Sequence, residues 1–156
     1  MLPRVEYSVT APTTPEQLWE AFCDLSRLLH RGIYSDASWT EGTPWQLGSR
    51  LRYVVVKPVA AVVSSVVTFV DPPKRVSIIN HGLGVTADQI VTFAAIPNGI
   101  TRVTMTMDFV GESPVLSPQG VVDVLTFVTR DALDSMLARW QEKSSDPAPL
   151  PNKLSS

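Results

Sequence analysis

The sequence predicts an α+β protein in which about seven antiparallel strands pack against one long C-terminal helix, in the order β-αα-β6-α. Three observations carry this. Residues 101–110 alternate cleanly, with Val103, Met105, Met107 and Phe109 on one face and Arg102, Thr104, Thr106 and Asp108 on the other, the pattern of a half-buried strand. Between Pro118 and Lys143, Val121, Val124, Leu125, Val128, Ala132, Met136 and Trp140 recur at three- and four-residue spacing, the apolar stripe of an amphipathic helix. The apolar runs between Arg50 and Val110 are joined only by short turns, too short for the crossovers that parallel strands need.

The elements follow in order. Val5, Tyr7 and Val9 alternate with Glu6, Ser8 and Thr10 and form the first strand, which stops at Ala11-Pro12. Thr14-Pro15-Glu16-Gln17 then supplies an N-cap, a proline at the first helical position and a glutamine at the third, a capping-box start. Leu18, Ala21, Phe22 and Leu25 make that helix's buried side. Asp24 caps a second short helix burying Leu25, Leu28 and Leu29 and ending near His30-Arg31-Gly32. A loop-rich stretch from Ile33 to Gly48 holds Trp39 and Trp45, with room for a short strand at 37–41. Strands follow at 50–57, 60–70, 75–81, 85–96 and 101–110. Asp71-Pro72-Pro73-Lys74 is a turn, because paired prolines cannot sit inside a central strand. Pro97-Asn98-Gly99 closes a hairpin, and a three-residue loop there puts Val91, Phe93 and Ala95 on the apolar face. Ser117 and Pro118 open the long helix as N-cap and first residue. At ~1.5 Å per residue its rod is ~38 Å long, enough to lie along a whole sheet. Asp123, Arg130, Asp134 and Gln141 fall on its polar side. Residues 1–143 read as one domain and 144–156, rich in Pro, Ser and Asp, as a disordered tail.

Composition excludes several function classes. The 156 residues carry a formal net charge of −2 without a Lys/Arg cluster, so no nucleic-acid partner is expected, since phosphate neutralisation needs concentrated positive charge. Cys23 is the single cysteine and makes neither an internal disulfide nor a thiolate metal site. No apolar run is long enough to span a bilayer, and the start has no secretory pattern, so a soluble, cytoplasmic protein is expected. Two separated histidines with scattered carboxylates do not form a metal site. Gly82-Leu83-Gly84 opens no helix, which removes a nucleotide-binding reading. No nucleophile–base motif is present, and no cofactor is expected.

Four stretches of local text share one resemblance. Val9-Thr10-Ala11-Pro12 with Pro15-Glu16-Gln17-Leu18-Trp19, then Asp71-Pro72-Pro73-Lys74-Arg75-Val76, then Phe93 through Gly99-Ile100-Thr101-Arg102-Val103-Thr104, then Asp108-Phe109-Val110-Gly111 occur in that order. Together with the element order they resemble the START-like helix-grip superfamily (SRPBCC), which includes the birch-pollen allergen, polyketide cyclases and lipid-transfer domains. Ala95 and Ile100 depart from its usual pattern. The resemblance implies a strongly curved sheet gripping the long helix, with a cavity between them. A curved sheet cannot touch a straight helix along its whole length, and the gap would be lined by apolar side chains.

On that reading the ligand-binding candidates are Trp39, Tyr53, Val55, Asn80, Gln89, Val91, Phe93, Met105, Met107, Leu125, Val128 and Met136. Each taken singly also fits a solid core; the flexible thioethers suit a site adapting to varied ligands. Tyr53, Asn80 and Gln89 are the inward polar candidates, with His81 facing out by parity. Tyr53, Asn80 and His30 are the candidates for catalysis, though neither Tyr nor Asn is a base near neutral pH. His30 either complements a helix C-terminus or stands at a cavity mouth with Tyr34 and Asp36 as an acid/base group; no partner spacing favours the second. Trp39 and Trp45 either gate the pocket or anchor the long loop. The implied function is binding of a small hydrophobic or aromatic metabolite or lipid. A polyketide cyclase or dehydrase and a co-chaperone-like interaction module are the alternatives.

Overall fold

The computed structural model describes residues 4–145. Seven strands, β1 (Arg4–Ala11), β2 (Tyr34–Glu41), β3 (Arg50–Val55), β4 (Ala61–Asp71), β5 (Arg75–Gly82), β6 (Val85–Ile96) and β7 (Ile100–Gly111), join helices α1 (Pro15–Cys23) and α2 (Pro118–Ser145). A 3-10 helix, Leu25–Arg31, follows α1. The sheet order is β1-β7-β6-β5-β4-β3-β2, and every neighbouring pair is antiparallel. The first strand thus pairs with the last, and β2 forms the far edge. The expected 144–156 tail lies, beyond Ser145, outside the described residues.

The local rules hold where the alternation is clean. Ile96 pairs with Ile100 and Phe93 with Val103, the register of the three-residue hairpin loop. Asn98 and Gly99 both take positive φ there, 73° and 72°, as a tight hairpin turn requires. Thr14 caps α1 by accepting from the Gln17 amide. Ser117 caps α2, its hydroxyl accepting from the Gly120 amide at 3.0 Å. Where β5 turns into β6, Gly84 passes so close to the end of β7 that an added Cβ would lie 2.5 Å from the Glu112 carbonyl. Only glycine fits that crossing.

Three expectations need correction. The second short helix is 3-10, with three residues per turn. Leu25 and Leu28 therefore share a face, while Leu29 rotates out and is 44% exposed; Arg27 is buried in its place. The expected short strand at 37–41 starts three residues earlier and pairs with β3 through two register shifts. A further register shift, not among the expectations, lies in β4 between Val67 and Phe69. Val67 is buried, Phe69 is exposed, and the Phe69 ring takes the Arg75 guanidinium 5.2 Å above it. Such bulges bend a strand and raise its twist. Finally, Asp134 does not sit on a solvated helix face: its carboxylate accepts from the Tyr7 hydroxyl at 3.0 Å, tying α2 to β1.

Helix α2 makes its extended contacts with β1, β7, α1 and the 3-10 helix. Its C-terminal half closes on α1. Arg139 there pairs with Asp24 at 2.7 Å, and Leu133 and Met136 are wholly buried. Phe93 meets the rings of Trp19 and Phe22 edge-on, at 5.2 and 5.9 Å. This end is a solid core. Removing a fully buried leucine from such packing costs about 2–5 kcal/mol, whereas truncating one in solvent changes little. Urea unfolding of Leu133→Ala should show a loss in that range, and Leu47→Ala, at a position 69% exposed, a change under about 0.5 kcal/mol.

Candidate functional site

Away from α1 the sheet and α2 part, and a cavity of about 100 Å³ lies between them. Its floor comes from Leu51, Tyr53 and Val55 of β3, Ala61 and Val63 of β4, Ile78 and Asn80 of β5, Val85, Ala87 and Gln89 of β6, and Met107 of β7. Its roof is the N-terminal half of α2, through Val121, Val124, Leu125, Val128 and Ala132. Phe22, Leu25, Arg27, Leu28, Tyr34 and Trp45 close one end. Half-buried Val59 and Leu83 complete the lining.

Tyr53, Val55, Asn80, Gln89, Met107, Leu125 and Val128, all picked from the sequence, line this space. Val91, Phe93, Met105 and Met136 do not; they are buried in the core, because α1 and the closed half of α2 fill the space over their part of the sheet. Trp39 stacks edge-on against Trp45 at 5.1 Å and braces the loop before β3. Trp45 itself reaches the cavity and donates its indole N–H to the Cys23 carbonyl at 3.0 Å. His30 is exposed and outside the lining, so it is placed to reach no group inside. His81 also faces out, its Nδ1 3.1 Å from the Thr86 hydroxyl. Among the described residues no cluster of three metal-ligating side chains occurs.

Two polar features interrupt the apolar lining. The first is a hydrogen-bonded chain across the floor. Tyr53 and Ser65 both donate to Asn80 Oδ1, at 2.7 and 2.5 Å. Asn80 Nδ2 donates to Gln89 Oε1 at 2.9 Å, and Gln89 Nε2 to Met105 Sδ at 3.4 Å. Ser65 was missed in the sequence because a serine pair in a strand reads as a solvent face. Each amide keeps a second N–H beyond these bonds, so the chain can still serve a ligand carbonyl or hydroxyl. Burial pushes the Tyr53 phenol up to about 12, and Tyr34 is also raised, chiefly by burial. Both stay neutral at physiological pH.

The second feature is Arg27, which no sequence signal marked, since a lone arginine in a short helix reads as solvated. Only 5% exposed, it donates to the main-chain carbonyls of Phe22 at 2.9 Å and Ala132 at 3.1 Å. Its guanidinium stands 4.6 Å over the Phe22 ring. Loss of solvation lowers it to about 10, which leaves it charged at neutral pH. Cys23, behind this end wall, is pushed up to about 12 by burial and so is an unreactive thiol rather than a nucleophile.

Residues 3–144 match the family described as polyketide cyclase / dehydrase and lipid transport. The chain belongs to this family. Among solved structures, TTHA0849 from Thermus thermophilus is 18% identical with a TM-score of 0.77, the match covering 92% of this chain and 100% of that one. The Zhui aromatase/cyclase from Streptomyces sp. R1128 is 17% identical with a TM-score of 0.73, covering 92% and 96%. A START superfamily protein from Mycobacterium smegmatis is 14% identical with a TM-score of 0.72, covering 90% and 98%. These likenesses establish the helix-grip fold. No curated protein matches the sequence significantly. No helix among the described residues is long and apolar enough to cross a membrane.

The family members share a sheet–helix layout; the pH behaviour of this cavity follows from its own residues. An unfolded tyrosine titrates near pH ~10, whereas native Tyr53 holds its proton to about 12. Below pH ~10 the group is protonated in both states and its contribution is fully present. Between ~10 and ~12 the unfolded chain loses the proton first, so stability falls as pH rises. Tyr53→Phe should flatten that part of a stability-versus-pH curve measured by urea unfolding. An unchanged slope would mean that the native phenol is solvated.

Proposed function

We propose that this protein binds a compact hydrophobic or aromatic molecule non-covalently in the space between α2 and strands β3–β6. The observation that carries the reading is the apolar hollow itself, with its polar groups gathered at the floor and at one end. Interiors ordinarily close to crystal-like density, so an unfilled apolar space held open by a folded scaffold is most simply a site. Its volume points to a small ligand. About 100 Å³ is below the ~300–1,000 Å³ of drug-sized sites and below the ~150 Å³ apolar cavity that takes benzene, so the half-buried roof side chains Leu125 and Val128 must shift to admit a substituted ring. A single ring or a short chain suits it better than a complete long acyl chain.

The family's description includes cyclases and dehydrases, and that chemistry needs a group that accepts a proton near neutral pH. Among the described lining residues the titratable groups are Arg27, Tyr34 and Tyr53. Arg27 falls only to about 10, and both phenols are raised, which favours binding without turnover. The interaction-module reading anticipated a filled interior, and the hollow counts against it.

Native mass spectrometry of the purified protein should reveal a retained small molecule or, after mild unfolding and refolding, uptake of added ethylbenzene. Val128→Phe places a ring in the cavity from the roof and should weaken ethylbenzene at least tenfold, measured by NMR titration, with the circular dichroism unchanged. His30→Ala should leave it unaltered. Equal affinity in wild type and Val128→Phe would place the ligand elsewhere.

A further inference from the structure

The end wall formed by the 3-10 helix contains a cation that no carboxylate touches directly. Two carboxylates stand close enough to act on Arg27, Asp24 and Asp131, and each is engaged by another arginine. Arg139 pairs with Asp24 at 2.7 Å, and Arg31 with Asp131 at 2.7 Å. Among the described residues Arg27 itself forms no ion pair within 4.0 Å. Its two hydrogen bonds go to neutral main-chain carbonyls, using two of the five donors a guanidinium carries.

A buried charge is costly unless it is paired. Here the carbonyls and the Phe22 face offset part of that cost and leave the charge in place. A fixed guanidinium with spare donors in a low-dielectric hollow matches a carboxylate, which it can grip in two-pronged fashion. Water competes less for such a bond in the cavity than at the surface. If the site took only neutral apolar molecules, an aliphatic side chain at position 27 would fill the wall without this desolvation cost.

We infer that the preferred ligand is a compact apolar acid, its carboxylate held by Arg27 at the end wall and its apolar body lying between Val128 and the β3–β6 floor. The inference rests on the binding reading above and specifies the ligand's charged group. The Tyr53–Asn80–Gln89 chain lies on the floor beside that body, where it serves a hydroxyl or carbonyl substituent.

The test compares 4-methylbenzoate with its neutral isostere 4-methylbenzamide by NMR titration of the intact protein at pH 7. The wild type should bind the acid at least tenfold more tightly. In protein carrying nitrogen-15-labelled arginine, the acid and not the amide should shift the Arg27 Nε–H resonance, assigned by its loss in Arg27→Lys. Arg27→Gln should bring the acid's affinity down to the amide's while the amide's is kept. Equal affinities in the wild type, or an acid preference that survives Arg27→Gln, would overturn the inference and leave the cavity reading intact. Failure of both molecules to bind the wild type would overturn the cavity reading itself. Should Arg27→Gln not fold, the wild-type affinity ratio and the Arg27 resonance decide without it.

Discussion

The structure depends on where α2 is seated. Within the sheet its extended contacts run only to β1 and β7, at one side of a sheet whose other side is built from β5, β4, β3 and β2; its remaining extended contacts are with α1 and the 3-10 helix. The ties that fix it there are specific. Asp134 accepts from Tyr7 of β1, Arg139 pairs with Asp24 at the start of the 3-10 helix, and the Ala132 carbonyl accepts from Arg27. A straight rod fastened to one side of a bent sheet stands clear of the other side. The hollow follows from that geometry, and does not require any single side chain to be small.

The same seating explains how polar groups come to line an oily space. The floor strands are covered only loosely, so Asn80 and Gln89 can be inward without meeting a packed partner. They satisfy each other through a chain that begins at Tyr53 and Ser65 and ends on a methionine sulfur. Buried polar groups are tolerated when every member has a partner. At the end wall the two carboxylates near Arg27 are drawn off by Arg31 and Arg139. Those ion pairs hold the helices together and leave the cavity positive at one end.

Much of this was legible in the sequence, and the exceptions share a cause. The strands from β3 to β7, the hairpin loop and both helix caps could be read because they rest on local rules of parity, turn chemistry and capping. Asn80 and His81 were assigned to the correct faces by parity alone. The bulge that turns Phe69 outward was not legible, since an extra residue in a ladder leaves no mark in composition. Nor was the 3-10 geometry that exposes Leu29 and buries Arg27, because three and four residues per turn both fit Leu25 and Leu28. Within the candidate site, periodicity identified the apolar face of the strands and of α2. It could not say which part of that face is covered. Val91, Phe93, Met105 and Met136 share parity or stripe with true lining residues, yet α1 closes over them. Arg27 and Asp131 were invisible for a related reason: a charged residue reads as solvated until the partners from distant elements are known.

The separation of α2 from strands β3–β6 can be tested most directly by crystals pressurised with xenon, an apolar atom with no directional demands that occupies dry cavities. Xenon density bounded by Val128, Ala87 and Met107 is expected. Density only at the surface, or the side chains of Leu125, Val128 and Met107 found filling the space between helix and sheet, would contradict it.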